Sequence, residues 1–274
     1  MTNILAIHAH PDDVEILAGG TLALLASRGH AITIATFTPG DCGSRQLGPE
    51  EISEVRRREA ADAAALIGAR YVCLEMRDLA IFNDDSSRRR VTEALRQTRP
   101  QLVLTAAPVD YHCDHEAVSA LVRDACFGAP APNYQTRSEA PAPPLDAIPH
   151  LYFMDPLGGR DREGKLVAPD FIVEVAETFA RKRAMLAEHA SQRIWLRQHH
   201  GIDDYLEEME RRTRERGELA GVQYGEGFRA YHGHAYPQSP LLQELLGSAV
   251  RVRGSALRED TAPLRSRLHF EPRA

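Results

Sequence analysis

Apolar residues fall in short, nearly unbroken runs at 4–9, 31–37, 70–74 and 101–105, and between them the spacing widens to that of helices. Runs of this length without polar alternation predict strands buried on both faces. The intervening segments predict helices at 19–28, closed by Gly29; at 51–66, alanine-rich and stopped by Gly68; at 87–98, ended before Pro100; and at 115–126. Strand and helix in alternation predict an α/β fold, a parallel sheet with helices on both faces. Two further strands are expected at 150–153 and 171–175. Two further helices are expected at 178–189 and 203–217, the second so charged that its outer face reads as solvated. The segment 128–149 is dense in Pro and Ala and lacks periodicity. It admits two readings, a surface excursion or a lid over a site.

In sheets of this kind ligands sit beyond the carboxyl ends of the strands. The polar clusters of the first half fall there. His10-Pro11-Asp12-Asp13 follows the first strand, Gly40-Asp41-Cys42-Gly43-Ser44 the second, and Asp110 to His115 the fourth. One edge of the sheet is therefore expected to gather the chemistry.

Composition narrows the class. The 274 residues are 43% hydrophobic and 26% charged, enough for one large domain with a sizeable core. A formal net charge of −6 argues against binding a nucleic-acid backbone. No apolar run approaches the roughly 20 residues that span a bilayer. Met1-Thr2-Asn3 leads straight into a strand without the marks of a signal peptide, so a cytoplasmic protein is expected. Four cysteines without a CxxC pair then read as reduced thiols. One domain is expected over 1–250, with a polar, Arg-rich extension over 251–274.

His10, Asp13 and His115 offer two imidazoles and a carboxylate, a donor set suited to catalytic zinc and equally to a non-haem iron triad. Adjacent aspartates ordinarily mark a turn or a helix cap. Set behind His10-Pro11 at a strand end, they can divide the work, Asp13 binding a cation while Asp12 faces water. Pro11 stiffens the turn that aims them. His112 and His115 stand three apart at a helix entry and can face one cavity. Asp114 between them either caps that helix or accepts the ring N–H of a histidine and raises its basicity.

His10-Pro11-Asp12-Asp13 with the trailing Glu15 and Gly19-Gly20-Thr21, and His112-x-Asp114-His115 downstream, resemble the LmbE-like (PIG-L) deacetylases. Val222 to Phe228 looks like that family's closing motif. The family removes acetyl groups from N-acetylglucosamine conjugates, among them those of mycothiol, bacillithiol and glycosylphosphatidylinositol synthesis. The resemblance implies a Rossmann-like, mostly parallel sheet and a zinc-dependent hydrolase, with Fe2+ or another divalent metal as the alternative. It implies His10, Asp13 and His115 as metal ligands, Asp12 as general base, and a protonated His112 that stabilises the oxyanion. It also places Arg56 at a substrate-gripping position, although Arg56-Arg57-Arg58 reads alone as a solvated charge run. The implied partner is a small amino-sugar conjugate, and an oligomer is implied as well. Two positions depart from the pattern: Cys113 stands where proline is usual, and Asp110 where some relatives carry tyrosine.

Three other readings stay open. One is an amidase for bulkier N-acyl conjugates, and another a metal- or sugar-binding relative without turnover. A nucleotide-binding module is the third, but no G-x-G-x-x-G follows the first strand and no Walker motif appears.

Overall fold

Consecutive residues of a strand point to opposite faces, and here both faces are covered. In the computed structural model, which describes residues 1–193 and 205–252, Ile4 and Ala6 of the first strand enter one core while Leu5 and Ile7 enter the other. The same division holds for Leu102 and Leu104 against Val103. This explains runs without polar alternation. Each Ile, Leu or Val side chain so removed from water contributes roughly 1.5–3 kcal/mol.

The chain runs β1 (Asn3–His8), α1 (Asp13–Ser27), β2 (Ala31–Thr36), α2 (Pro49–Ala65), β3 (Arg70–Cys73), α3 (Asp85–Thr98), β4 (Leu102–Thr105) and α4 (Cys113–Gly128). It continues through β5 (His150–Met154), β6 (Phe171–Glu174), α5 (Phe179–Ala187), α6 (Tyr205–Glu218), β7 (Gly225–Ala230), α7 (Leu241–Leu246) and β8 (Val250–Val252). The sheet has eight strands in the order β3-β2-β1-β4-β5-β7-β6-β8. The first five in that order are parallel, and β7, β6 and β8 add an antiparallel edge. Helices α1, α2, α5, α6 and α7 cover one face, and α3 and α4 the other. The fold is thus α/β, with β1 and β4 neighbours at the point where strand order reverses. That is where doubly wound sheets open a crevice.

Three departures from expectation have physical causes. Helix α1 begins at Asp13, six residues before its expected start, and carries Gly19-Gly20 inside it; glycines that usually punctuate are buried here under other elements. Strand β7 was not expected, because Gly225-Glu226-Gly227 lacks an apolar run, yet it pairs on both sides. Strand β8 pairs with β6 and carries the sheet to Val252, past the expected domain limit at 250. The start of the helix expected at 203–217, and the extension from residue 253 onward, lie outside the described residues. Segment 128–149 has no helix or strand of its own beyond the end of α4. It is tied to α3: Arg96 donates to the Ala129 and Ala131 carbonyls, and Glu93 accepts from Thr136 and the Ala142 amide. These bonds favour the surface-excursion reading. Among the described residues no helix is long and apolar enough to cross a membrane.

Candidate metal centre

The loops after β1 and β4 meet across the crevice, although about a hundred residues separate them in sequence. His10 Nδ1, Asp13 Oδ2 and His115 Nε2 form a nearly equilateral triangle. His10 lies 3.3 Å from Asp13 and 3.3 Å from His115, and His115 lies 3.4 Å from Asp13. Bonds of roughly 2.0–2.1 Å at tetrahedral angles separate ligand atoms by about 3.3–3.4 Å. Three donors of the right type at the right spacing fit a divalent cation.

His8 also groups with Asp13 and His115 in a metal-compatible set. Its Nδ1, however, sits 2.7 Å from Asp13 Oδ2, which is hydrogen-bond distance and too close for two ligands of one tetrahedral ion. His8 is fully buried, and desolvation lowers its pKa against the pull of Asp13. It orients Asp13, which also accepts the His10 amide at 2.9 Å. Burial opposes a charged Asp13, but the surrounding imidazoles and these hydrogen bonds hold its carboxyl well below the usual range.

Each imidazole of the triangle turns its other nitrogen to a carboxylate. His10 Nε2 is 3.3 Å from Asp114 Oδ2, and His115 Nδ1 is 3.1 Å from Asp110 Oδ1. Such partners fix ring orientation and tautomer. Against burial, the bonds to Asp114 and Asp13 raise the pKa of His10 to about 10. Asp114 thus takes the ring-accepting role rather than the capping one, and it is anchored by the Leu79 amide at 2.8 Å. The cap of α4 is His112, whose Nδ1 accepts from the Asp114 amide at 3.2 Å. Its ring lies against His10 and His115. Burial, reinforced by those two neighbours, lowers its pKa. With Nδ1 accepting the Asp114 amide, Nε2 is the ring nitrogen left to donate.

Asp12 stands beside the triangle without joining it. Its backbone is left-handed, φ 101°, a strained conformation for a non-glycine residue that persists only when its surroundings enforce it. Arg56 provides that enforcement. The guanidinium donates to the Pro11 carbonyl at 2.7 Å and the Gly40 carbonyl at 3.2 Å, and Nη2 approaches Asp12 Oδ1 to 3.8 Å. It lies under Gly40, where φ is +78° and a Cβ would sit 2.0 Å from Nη1. At 2% exposure Arg56 is not a solvated charge, and it stands against Asp12. Tyr205 at the start of α6 donates its hydroxyl to Asp12 Oδ2 at 2.5 Å. Burial, with the neighbouring Asp13 charge, raises the pKa of Asp12 to about 6 against the pull of Arg56.

His8, Asp110 and Tyr205 were not assigned from sequence. His8 fell inside the strand expected at 4–9, and Asp110 stood out only as a departure. Tyr205 carried a signal that was available: Tyr205, Leu206, Met209, Thr213 and Gly217 recur at helical spacing and form the buried face of α6. The four cysteines are free thiols, as expected, and Cys113 is exposed beside Asp114.

With this geometry in place, likeness to known proteins can be set against it. Residues 5–126 match the PIG-L family model, described as GlcNAc-PI de-N-acetylase. A probable N-acetyl-alpha-D-glucosaminyl L-malate deacetylase 2 from Bacillus cereus is 28% identical over 205 residues, covering 69% of this chain and 83% of the relative. A 4-oxalmesaconate hydratase from Pseudomonas putida is 25% identical over 200 residues, covering 70% and 74%. Among solved structures, the N,N'-diacetylchitobiose deacetylase from Pyrococcus horikoshii superposes with a TM-score of 0.69 at 25% identity, covering 87% of this chain and 88% of that one.

Proposed function

We propose that this chain, a member of the PIG-L (LmbE-like) family through the domain at 5–126, is a metal-dependent N-deacetylase that hydrolyses the acetamide of an N-acetylglucosamine-type conjugate. The observation that carries the reading is Asp12. A carboxylate held in a strained backbone by Arg56 and Tyr205, beside a metal-sized triangle yet outside it, is the arrangement a general base requires.

His10, Asp13 and His115 would hold the cation, zinc being the first choice for two imidazoles and a carboxylate. Bound there, it would supply Lewis acidity, polarising the acetyl carbonyl and lowering the pKa of water towards roughly 7. Asp12 takes the proton of the attacking water through its free oxygen edge, while Tyr205 fixes the other. As the carbonyl carbon becomes tetrahedral, negative charge grows on its oxygen, and His112 meets it with Nε2–H. Asp12 then delivers its proton to the departing nitrogen, so that an amine and acetate leave. Asp110, Asp114 and His8 keep the rings and Asp13 in register throughout.

Some relatives named as deacetylases act on N-acetylglucosaminyl compounds, which supports the amino-sugar class. The hydratase relative defines the competing outcome, since a base beside a cation can also add water across a carbon–carbon double bond. Zinc-loaded protein should release acetate from N-acetylglucosamine conjugates, read by an acetate-coupled assay. Failure there, together with loss of enoate absorbance on unsaturated dicarboxylates, would replace deacetylation with hydration.

A further inference from the structure

Two motifs play no part in the proposed chemistry, Gly19-Gly20-Thr21 within α1 and Glu226 within β7, and they meet in the core. The Glu226 carboxylate accepts from the Gly20 amide at 2.9 Å and from the Thr21 amide at 2.8 Å. In an ordinary α-helix those amides would bond the carbonyls of Ile16 and Leu17. The Ile16 carbonyl accepts from Lys182 Nζ at 2.6 Å, and the same ammonium pairs with Glu226 Oε1 at 2.6 Å. A buried ion pair thereby grips the backbone of α1, one charge bonded to two of its amides and the other to one of its carbonyls.

Several details show a site shaped around this pair. Lys182 is fully buried and Glu226 3% exposed. Lys182 is one of only two lysines, with Lys165, in a chain that otherwise uses arginine. A Cβ on Gly20 would stand 2.7 Å from Val175, and one on Gly19 3.3 Å from the Lys182 stem. Removing two charges from water is costly, and such pairs often stabilise a fold no better than apolar residues of equal volume. Stability is thus a poor reason for the pair.

Its position supplies a better one. Ile16 donates its amide to the Asp12 carbonyl at 3.0 Å while its own carbonyl is held by Lys182. One residue therefore links the clamp to the turn that carries Asp12 and Asp13. We propose that Lys182 and Glu226 are positioning residues, which set the first turn of α1 so that Asp13 completes the metal triangle and Asp12 stays clear of it. This rests on the functional reading above.

The test compares Glu226→Gln and Lys182→Met with Val91→Ala, which opens the core under α3 on the opposite face of the sheet. Zinc affinity is measured by chelator competition, kcat and KM for acetate release at saturating zinc, and Tm by calorimetry. Glu226→Gln, which turns an NH2 towards a backbone amide, should weaken zinc binding about tenfold or more, in the range of other ligand-supporting groups. It should also lower kcat severalfold with KM little changed, whereas Val91→Ala should lower Tm and leave both native. Lys182→Met keeps both amide bonds to Glu226 and carries the test if Glu226→Gln does not fold. Native zinc affinity and kcat in the clamp variants, or an equal loss of affinity in Val91→Ala, would reduce the pair to a structural element. The affinity measurement needs no substrate, so it decides on the clamp even if no conjugate is deacetylated.

Discussion

At the scale of single residues, neighbouring groups of similar chemistry are separated into different tasks by what each touches. Asp12 and Asp13 are adjacent carboxylates, yet Asp13 is surrounded by imidazoles while Asp12 faces Arg56 and Tyr205. Asp12→Asn should keep its metal and lose at least about a hundredfold in kcat; activity near native with full metal content would remove it from the base role. Tyr205→Phe keeps the buried ring and deletes only the bond to Asp12, so zinc content should hold while kcat falls about tenfold. An unchanged kcat would leave Tyr205 a packing residue. His112→Ala removes both a donor to the reacting oxygen and the cap of α4. It should cost about 3–4 kcal/mol of transition-state stabilisation and about 1 kcal/mol of fold stability, seen as a kcat loss with KM little altered and a modest drop in Tm. A KM effect alone would place His112 in ground-state binding.

At the scale of elements, legibility followed the range of the interaction. The apolar runs of β1, β2 and β4 announced strands with core on both faces, while β3, at the sheet's edge, is only half-buried; the proposed ligands could be read because each motif is local to one loop. The start of α1 was misplaced because Gly19-Gly20 looks like punctuation until Val175 and Lys182 are seen against it. β7 was missed because its glycines and Glu226 serve the packing of other elements and leave no periodicity of their own. Asp110 shows a related limit: it stands five residues before His115 on the same connection, and only the fold of that loop turns its carboxylate to the ring. That loop is a scaffold as well as a source of a proposed ligand: Asp110 Oδ2 accepts the Leu157 amide at 2.9 Å, tying the segment after β5 to the site. Asp110→Asn retains an acceptor but loses the charge that polarises His115. Zinc affinity should weaken roughly 10- to 100-fold, measured by chelator competition, and native affinity would show that His115 needs no carboxylate partner.

At the scale of the molecule, the proposed ligands come from two loops of one parallel sheet, so cation binding closes a crevice between segments far apart in the chain. The unfolded chain holds no such triangle, and binding should therefore stabilise the fold by mass action. At zinc a hundredfold above Kd the gain is about 2.7 kcal/mol. For a domain of this size each kcal/mol moves Tm by roughly 2–4 °C, so chelator-stripped protein should melt some ~5–11 °C below zinc-loaded protein and lose its activity until zinc is returned. The shift also separates the two aspartates without any substrate. His10→Ala, lacking one corner of the triangle, should show little zinc-dependent change in Tm, while Asp12→Asn should show the full change. Equal shifts in both variants would place the cation elsewhere than on the edge where β1 and β4 end.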